Sequence, residues 1–416
     1  MVYLNPENDQ ARADSHSPLA TAERQEEPSL SALRAHGATV VAMSGGVDSS
    51  VAAALLSREG HKVVGVTLRL WSGGAGGPEG KGPGQRCTAI DDAKVVADRL
   101  GIPHVVLDCG PTFDRQVAQY FVAAYRRGET PNPCVPCNAQ LKFGALLHAA
   151  QSWGAAALAT GHYARVQYHQ ATRRHRLYRA ADRRKDQSYF LYALDQEQLA
   201  VARFPLGLLA KADTRRLARE FGLPVADKAE SQQVCFAAGD YRAYLRDRVG
   251  AALTPGTIRD VDGTPRGRHA GLPFYTVGQR HGLGLGNSRP LYVVALDPAT
   301  NEVVVGEDSH LWAREAEVEA LNLIAMDRLD APIRVRAKIR YAHESQVATA
   351  TPLSADRLRL AFDEPQRAVA PGQAAVLYDL DEPDVVVGGG TICRPRRDAD
   401  WARRTRRLAW SGHERP

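Results

Sequence analysis

Residues 38–50 read Ala-Thr-Val-Val-Ala-Met-Ser-Gly-Gly-Val-Asp-Ser-Ser, and the fold is decided there. Ala38 to Met43 is a short apolar run rich in β-formers, while Ser49 to Gly60 carries apolar residues at helical spacing and stops at a glycine. The pattern predicts a strand, a tight loop and a helix. Successive backbone N–H groups in such a loop, with the positive end of the helix, can enclose a phosphate. Gly45 and Gly46 remove the Cβ atoms that would obstruct the approach. Asp48 is a poor direct phosphate ligand, because two anions repel, but it suits Mg²⁺ bridging to phosphate oxygens.

The same alternation continues outward. Lys62 to Leu68 and His104 to Asp108 predict strands, Asp91 to Leu100 a helix closed by Gly101, and Ala156 to Thr160 a fourth strand. Helical patterns cover Thr112 to Arg127 and Asn138 to Trp153. Strands and helices in turn indicate a doubly wound parallel sheet, whose ligands bind beyond the C-terminal strand ends. Between Ser72 and Arg86, seven of fifteen residues are Gly and two are Pro, which predicts a mobile loop. A Walker A motif around Gly80 and Lys81 fails, with Ala75 in place of the first Gly and Gly82 in place of Ser or Thr. From about Pro290 the texture becomes β-rich: Leu291–Leu296, Glu302–Val305, Ile333–Arg340, Arg357–Phe362, Ala374–Tyr378 and Val385–Val387. The expected fold is therefore α/β, a nucleotide-binding domain over 37–228 followed by a small central domain (229–290) and a C-terminal β-barrel (291–394). A disordered extension (1–36) and a basic tail (395–416) flank them.

The chain of 416 residues is 44% hydrophobic and 24% charged, which excludes disorder throughout. Lys and Arg number 53 against 47 acids, a net of +6 that favours a polyanionic partner. From Arg394 to Pro416 there are eight Arg and three acids, so most of that surplus sits in the tail. No run approaches the roughly eighteen apolar residues that cross a bilayer, and residues 1–36 lack a signal peptide's apolar centre. A soluble, cytoplasmic protein without a membrane partner is expected.

Six Cys are too few for a disulfide scaffold, so their spacing carries the information. Pro131-Asn132-Pro133-Cys134-Val135-Pro136-Cys137-Asn138 sets two thiols three residues apart before a helix whose N-terminus would favour the thiolate. Cys235 lies in Ser231-Gln232-Gln233-Val234-Cys235-Phe236. A lone CxxC reads as zinc ligand, redox pair or chance; zinc would want four ligands, and no second CxxC or paired His motif is present. Cys109 and Cys393 follow apolar strands, where packing is the better account.

The string Ser44 to Ser50 resembles the PP-loop of ATP pyrophosphatases, which cleave ATP between the α and β phosphates and adenylate a substrate. With the thiols, Gly161-His162-Tyr163-Ala164-Arg165, Lys185-Asp186-Gln187-Ser188-Tyr189-Phe190-Leu191 and Phe274-Tyr275-Thr276-Val277-Gly278-Gln279-Arg280, the chain resembles the tRNA-specific 2-thiouridylase family from about Val40 to Ile392. The resemblance implies adenylation of wobble uridine 34 at O2, then attack of sulfur at C2 with loss of AMP.

It further implies that Cys137 is the nucleophile and Cys235 the persulfide carrier, a Cys137–Cys235 disulfide being left behind. Asp48 joins these as a catalytic residue. Ala42, Met43, Ser44, Gly45, Gly46, Val47, Asp48 and Ser49 would hold ATP phosphates, with Leu68 and Gly161 near the adenosine. Asn132, Pro133 and Cys134 would meet the flipped target base. His162, Lys185, Asp186, Gln187, Arg340, Tyr341 and Gln373 would contact tRNA, beside a basic stretch comprising Arg173, Arg174, Arg176, Arg179, Arg183 and Arg184. The implied cofactors are ATP and Mg²⁺, and the implied partners are the tRNA anticodon arm and a sulfur donor such as a cysteine desulfurase or relay protein.

Many family members carry Asp at the position of Cys134. Here Cys134, Cys137 and Cys235 could alternatively hold a [4Fe–4S] cluster. Gln233 replaces a usual acid, and the segment after Cys87 is shorter than usual. The competing classes are a GMP or NAD synthetase, which has no use for the spaced thiols, and a non-catalytic RNA-binding protein with a degenerate nucleotide fold.

Overall fold

The computed structural model describes residues 3–4, 37–70, 88–229, 235–236, 241–250, 253–286 and 289–396. The glycine-rich loop, Cys87, Gln233 and the basic tail lie outside them, as does most of the N-terminal extension. The chain divides into two compact units, one of Met1–Val117 with Cys134–Phe236, the other of Ala118–Pro133 with Ala237–Pro416.

The first unit is built on a six-stranded parallel sheet. Its strands are β1 (Tyr3–Leu4), β2 (Thr39–Ala42), β3 (Val63–Arg69), β4 (His104–Asp108), β5 (Ala157–Thr160) and, past the hairpin of β6 (Ala164–His169) and β7 (Arg174–Arg179), β8 (Ala202–Arg203). The order is β1-β4-β3-β2-β5-β8. The chain runs from β2 outward through β3 to β4 on one side, then places β5 and β8 on the other. The order thus reverses between β2 and β5, the kind of switch point at which ligands bind beyond the strand ends. β1 departs from the expected disordered extension: Tyr3 and Leu4 register with Val106 and Leu107 on the free side of β4, whose open backbone edge favours pairing.

Helix α1 (Val47–Arg58) follows β2 and is apolar almost all round, with Val51, Ala52, Ala53 and Ala54 fully buried. Three consecutive alanines combine high helix propensity with small volume, so the helix can lie close over the sheet. It packs with Val41, Met43, Val63, Val96 and Leu223 in the principal core of this unit.

In the second unit, a four-stranded sheet has the order β10-β9-β12-β11, from β9 (Gly256–Asp260), β10 (Pro265–His269), β11 (Tyr292–Asp297) and β12 (Glu302–Gly306). A closed barrel follows, β13-β16-β15-β14-β17-β18, from β13 (Trp312–Leu323), β14 (Ile333–Lys338), β15 (Gln346–Ser354), β16 (Arg357–Arg367), β17 (Ala374–Asp379) and β18 (Val386–Arg396). The first and last strands close it on each other, Glu315 registering with Arg396. Leu358, Leu360 and Phe362 alternate inward along β16. The expected start of the barrel at 291 is corrected, because β11 and β12 hydrogen-bond to each other and β12 to β9 rather than to the barrel. The helix Gln119–Arg126 belongs to this unit through Tyr125 stacked on Tyr241 and Phe121 against Tyr244.

Candidate active site

The loop after β2 is held by its own side chains. Ser49 Oγ accepts from Ser44 N at 3.1 Å and lies 3.2 Å from Ser44 Oγ, and Ser50 Oγ donates to Gly46 O at 2.8 Å. Gly45 has φ +67°, and a Cβ there would lie 2.3 Å from Ala89 O, so only glycine fits. Gly161, just past β5, abuts the same loop: a Cβ on it would lie 2.6 Å from Ser49 N. Ala42 ends β2 and Leu68 lies near the end of the neighbouring β3, so the expected nucleotide residues gather at one edge of the sheet.

Three residues that sequence reasoning did not assign surround this loop. Lys211 Nζ donates to both oxygens of Asp48, at 2.6 and 2.8 Å. Tyr163 Oη bonds Asp48 Oδ1 at 3.0 Å and Thr214 Oγ1 at 2.9 Å, which orients the carboxylate. Lys228 Nζ donates to Gly45 O at 3.0 Å and pairs with Asp92 at 2.5 Å. Asp48 is thus paired with a lysine. Its side chain nevertheless keeps 33% exposure, and a single carboxylate with phosphate oxygens is an ordinary Mg²⁺ donor set, so these residues fit that ion.

The second cluster is sulfur. Cys134 opens a helical turn, Cys134–Pro136, and a ten-residue π-helix, Cys137–Leu146, continues it. In an α-helix residue i+5 lies about 140° round from residue i; the i→i+5 ladder of a π-helix brings it back beneath residue i. In that winding Lys142 follows Cys137 by five residues and Asn138 by four. Buried Asn138 holds it there, its Oδ1 accepting from Lys142 Nζ at 2.9 Å while its Nδ2 donates to Phe190 O at 3.1 Å. Lys142 forms no ion pair with a carboxylate among the described residues. The spacing Cys137, Asn138, Lys142 was visible in the sequence as a signal for this cation. Cys235 is placed by its neighbour: Phe236 is buried and meets Phe113 edge-on at 5.4 Å between centroids.

Cys134 and Cys235 are exposed as residues, yet burial acts on both thiols. Burial pushes the Cys235 thiol up to about 12, Cys137 and Cys134 adding to the shift and Lys142 opposing it. Burial also raises Cys134, with Cys137 again adding and Lys142 opposing. The expected thiolate is therefore corrected at Cys134: crowding and a like-charged neighbour outweigh the helix end. Buried Cys109, at the end of β4, is pushed to about 12 by burial first, then by Asp108 and Cys137. Cys137 acts on Cys134 and Cys235, and also on Cys109 at the end of β4, so the three thiols are neighbours in the first unit. Among the described residues, no three His, Cys, Asp or Glu converge to hold a metal ion.

The expected RNA contacts divide. Asp186 is corrected: it is buried, its Oδ1 accepting from Ala180 N and Ser188 N and its Oδ2 from Ser188 Oγ, so it shapes a turn rather than facing a ligand. Gln187 Oε1 accepts from Tyr163 N at 3.0 Å, bracing the segment after β5. Burial, with Lys142 adding, holds His162 well below its ordinary 6.5, so the ring is neutral beside Thr160 Oγ1 at 2.7 Å. Lys185 is half-buried beside exposed Arg183 and Arg184. In the second unit, Tyr341 is exposed with Lys338 Nζ 5.4 Å over its ring, Arg340 donates to Arg367 O and Ala368 O, and Gln373 Nε2 donates to Thr130 O. Asn132 and Pro133 also belong to that unit.

Models of three domain families match the chain in sequence: tRNA methyl transferase HUP domain over 38–239, tRNA methyl transferase PRC-barrel domain over 242–307, and aminomethyltransferase beta-barrel domain over 313–392. A protein of Moorella thermoacetica named tRNA-specific 2-thiouridylase MnmA is 50% identical over 354 residues, 85% of this chain and 98% of that protein. The chain belongs to the tRNA-specific 2-thiouridylase family. The relative of the same name from Synechocystis sp. is 46% identical over 358 residues, 85% of this chain and 96% of that protein. The thiouridylase is accordingly a transferase that moves sulfur to tRNA, with an ATP-binding PP-loop domain, a PRC-barrel middle and a closed β-barrel. Membership replaces the synthetase and non-catalytic readings. No described helix is long and apolar enough to cross a membrane.

Proposed function

We propose that this chain adenylates uridine 34 of tRNA at O2 and then replaces that oxygen by sulfur. What supports the reading is the presence in one unit of the braced Ser44–Ser50 loop after β2 and of three neighbouring thiols, one of which influences Cys109 at the end of β4. Ala42 to Ser49 hold the ATP phosphates, and Leu68 and Gly161 flank the adenosine. Asp48, once released by Lys211, is the residue that would hold Mg²⁺; when bound, that ion neutralises phosphate charge. Uridine O2 attacks the α-phosphorus, pyrophosphate departs, and C2 acquires a good leaving group.

Sulfur arrives as a persulfide on Cys235 from a donor such as a cysteine desulfurase or a relay protein. Cys137 thiolate attacks the inner sulfur of that persulfide and the terminal sulfur leaves as hydrosulfide. The C2–S bond forms, AMP leaves with O2, and the Cys137–Cys235 disulfide is returned to two thiols by an external dithiol. Asn132, Pro133 and Cys134 receive the flipped base; His162, Lys185 and Gln187 of the first unit contact RNA, and so, on their own unit, do Arg340, Tyr341 and Gln373, with residues 229–290 as a further contact region.

Mass spectrometry of nucleosides from an unmodified tRNA transcript, incubated with protein, ATP, Mg²⁺ and a sulfur source, should show 2-thiouridine at position 34. Asp48→Ala should abolish tRNA-dependent pyrophosphate release, whereas Cys235→Ala should keep it and lose thiolation. Equal loss of pyrophosphate release in both variants contradicts this division. Activity that requires bound iron and acid-labile sulfide overturns the persulfide route.

A further inference from the structure

Hydroxyls of helix α1 fix the flanks of the nucleotide loop but not its middle. Ser49 Oγ accepts from Ser44 N, and Ser50 Oγ and Ser49 Oγ donate to Gly46 O at 2.8 and 3.3 Å. Between those bonds lies the peptide that joins Gly45 to Gly46. With no Cβ on either residue, little opposes rotation of its plane, which would exchange the directions of Gly45 O and Gly46 N–H. Among the described residues, one side chain holds it: Lys228 Nζ donates to Gly45 O at 3.0 Å. The Gly46 N–H has no partner among the described residues, nor do those of Val47, Asp48 and Ser49, which precede the first backbone bond of the helix, Ser50 N to Gly46 O.

Lys228 is itself well anchored. Its Nζ pairs with Asp92 at 2.5 Å and its N–H donates to Val225 O at 3.0 Å. Arg215, in the helix Lys211–Glu220, donates to Ala226 O at 3.3 Å and to Lys228 O at 3.4 Å. Asp92 follows Ala89 by three residues in the helix Thr88–Leu100, which places the two on one face. Ala89 O is also the atom that a Cβ on Gly45 would strike. One helical turn therefore closes on the Gly45 Cα while its carboxylate holds the lysine at the Gly45 carbonyl. In a trans peptide the C=O and N–H point in opposite directions, and no described peptide is cis. Holding Gly45 O on Lys228 thus turns the Gly46 N–H away from the lysine.

We propose that Lys228 is a positioning residue for nucleotide binding, gripping Gly45 O so that the Gly46 N–H stays turned toward the phosphates the loop receives. The inference rests on the reading of Ser44–Ser50 as the loop that holds ATP phosphates. With the peptide reversed, a carbonyl oxygen would face the phosphate, and like partial charges repel. Loss of a hydrogen bond made by a charged group corresponds to roughly a tenfold change in the population of one orientation. Lys228 acts in this way without touching the nucleotide.

Full-length Lys228→Met, Lys228→Arg and the pair Lys228→Met with Asp92→Asn test the proposal. Titration calorimetry with ATP and Mg²⁺ should give a dissociation constant raised about tenfold in Lys228→Met and in the double variant. Lys228→Arg, which keeps a charged donor, should restore most of the affinity. Lys228→Met alone leaves Asp92 uncompensated, so recovery of wild-type affinity in the double variant would assign the loss to carboxylate repulsion and overturn the proposal.

A second readout needs no nucleotide. In protein made with glycine labelled with ¹³C at the carbonyl and with ¹⁵N, only Gly-Gly peptides correlate a labelled carbonyl with a labelled nitrogen. The chain has five of them, few enough for Gly46→Ala to identify the Gly45 carbonyl by its loss. That resonance should shift in Lys228→Met, because an ammonium bond deshields the carbon, and stay near its wild-type position in Lys228→Arg. An unmoved resonance beside normal ATP binding by the wild type overturns the proposal alone. Absence of ATP binding by the wild type overturns the reading of the loop and the proposal with it. Should Lys228→Met not fold, Lys228→Gln, whose amide nitrogen stops one bond short of Nζ, takes its place.

Discussion

Lys142 shows how one residue can set the character of a site. Its ammonium is oriented by Asn138 and opposes the upward pressure on two thiols. Replacing it by Gln should slow alkylation of Cys134 and Cys235 by iodoacetamide several-fold at pH 8, since removing a nearby cation disfavours thiolate. Lys142→Arg should restore most of the rate, and peptide mass mapping would read both. Unchanged alkylation in Lys142→Gln would separate the lysine from the thiols. Asp48 presents the complementary case. Its sequence position announced a phosphate-linked role, but Lys211 and Tyr163, which hold it, lie in other segments of the chain. No local pattern points at a contact made across 163 positions.

At the scale of elements, the parallel sheet was legible because each strand is a short apolar run closed by a turn, and each crossover helix ends in Gly60, Gly101 or a similar stop. β13 and β15 were not anticipated. Trp312–Leu323 is rich in Ala and Glu, a composition that suits a helix, and becomes a strand because its partners β16 and β18 supply hydrogen bonds on both sides. Gln346–Ser354 has Ala or Thr at four of its nine positions and gives a weak alternation. The π-helix was equally hidden, since apolar spacing does not distinguish the wider winding.

Imidazoles packed against these elements fix the acid response. His104, on β4 with its Nε2 2.9 Å from Thr67 Oγ1, is lowered by burial to about 4 from 6.5. His269, bonded to Asn301 O and Gly271 N, is also lowered by burial. Between pH 6.5 and 4 the unfolded chain takes up protons that the fold refuses, so stability should fall steadily as pH drops through that window. Urea midpoints at pH 7.5 and pH 5 would measure it, and His104→Gln should flatten the difference. A midpoint independent of pH would contradict the burial of these rings.

For the whole molecule, the proposed contact with tRNA draws on basic residues gathered by folding as well as by sequence. The hairpin of β6 and β7 carries Arg173 at its turn, with φ +51°, and exposed Arg183 and Arg184 follow it. If these meet phosphates, Arg173→Ala with Arg184→Ala should weaken tRNA binding and reduce the slope of log affinity against log salt by about 1–2. An unchanged slope would remove the hairpin from the RNA path. The barrel has another property at this scale. Because Glu315 near its entry faces Arg396 at its exit, the chain leaves the barrel where it came in. Such a module can be lifted out, or its ends spliced and new termini cut elsewhere, without asking the remainder of the protein to span a gap.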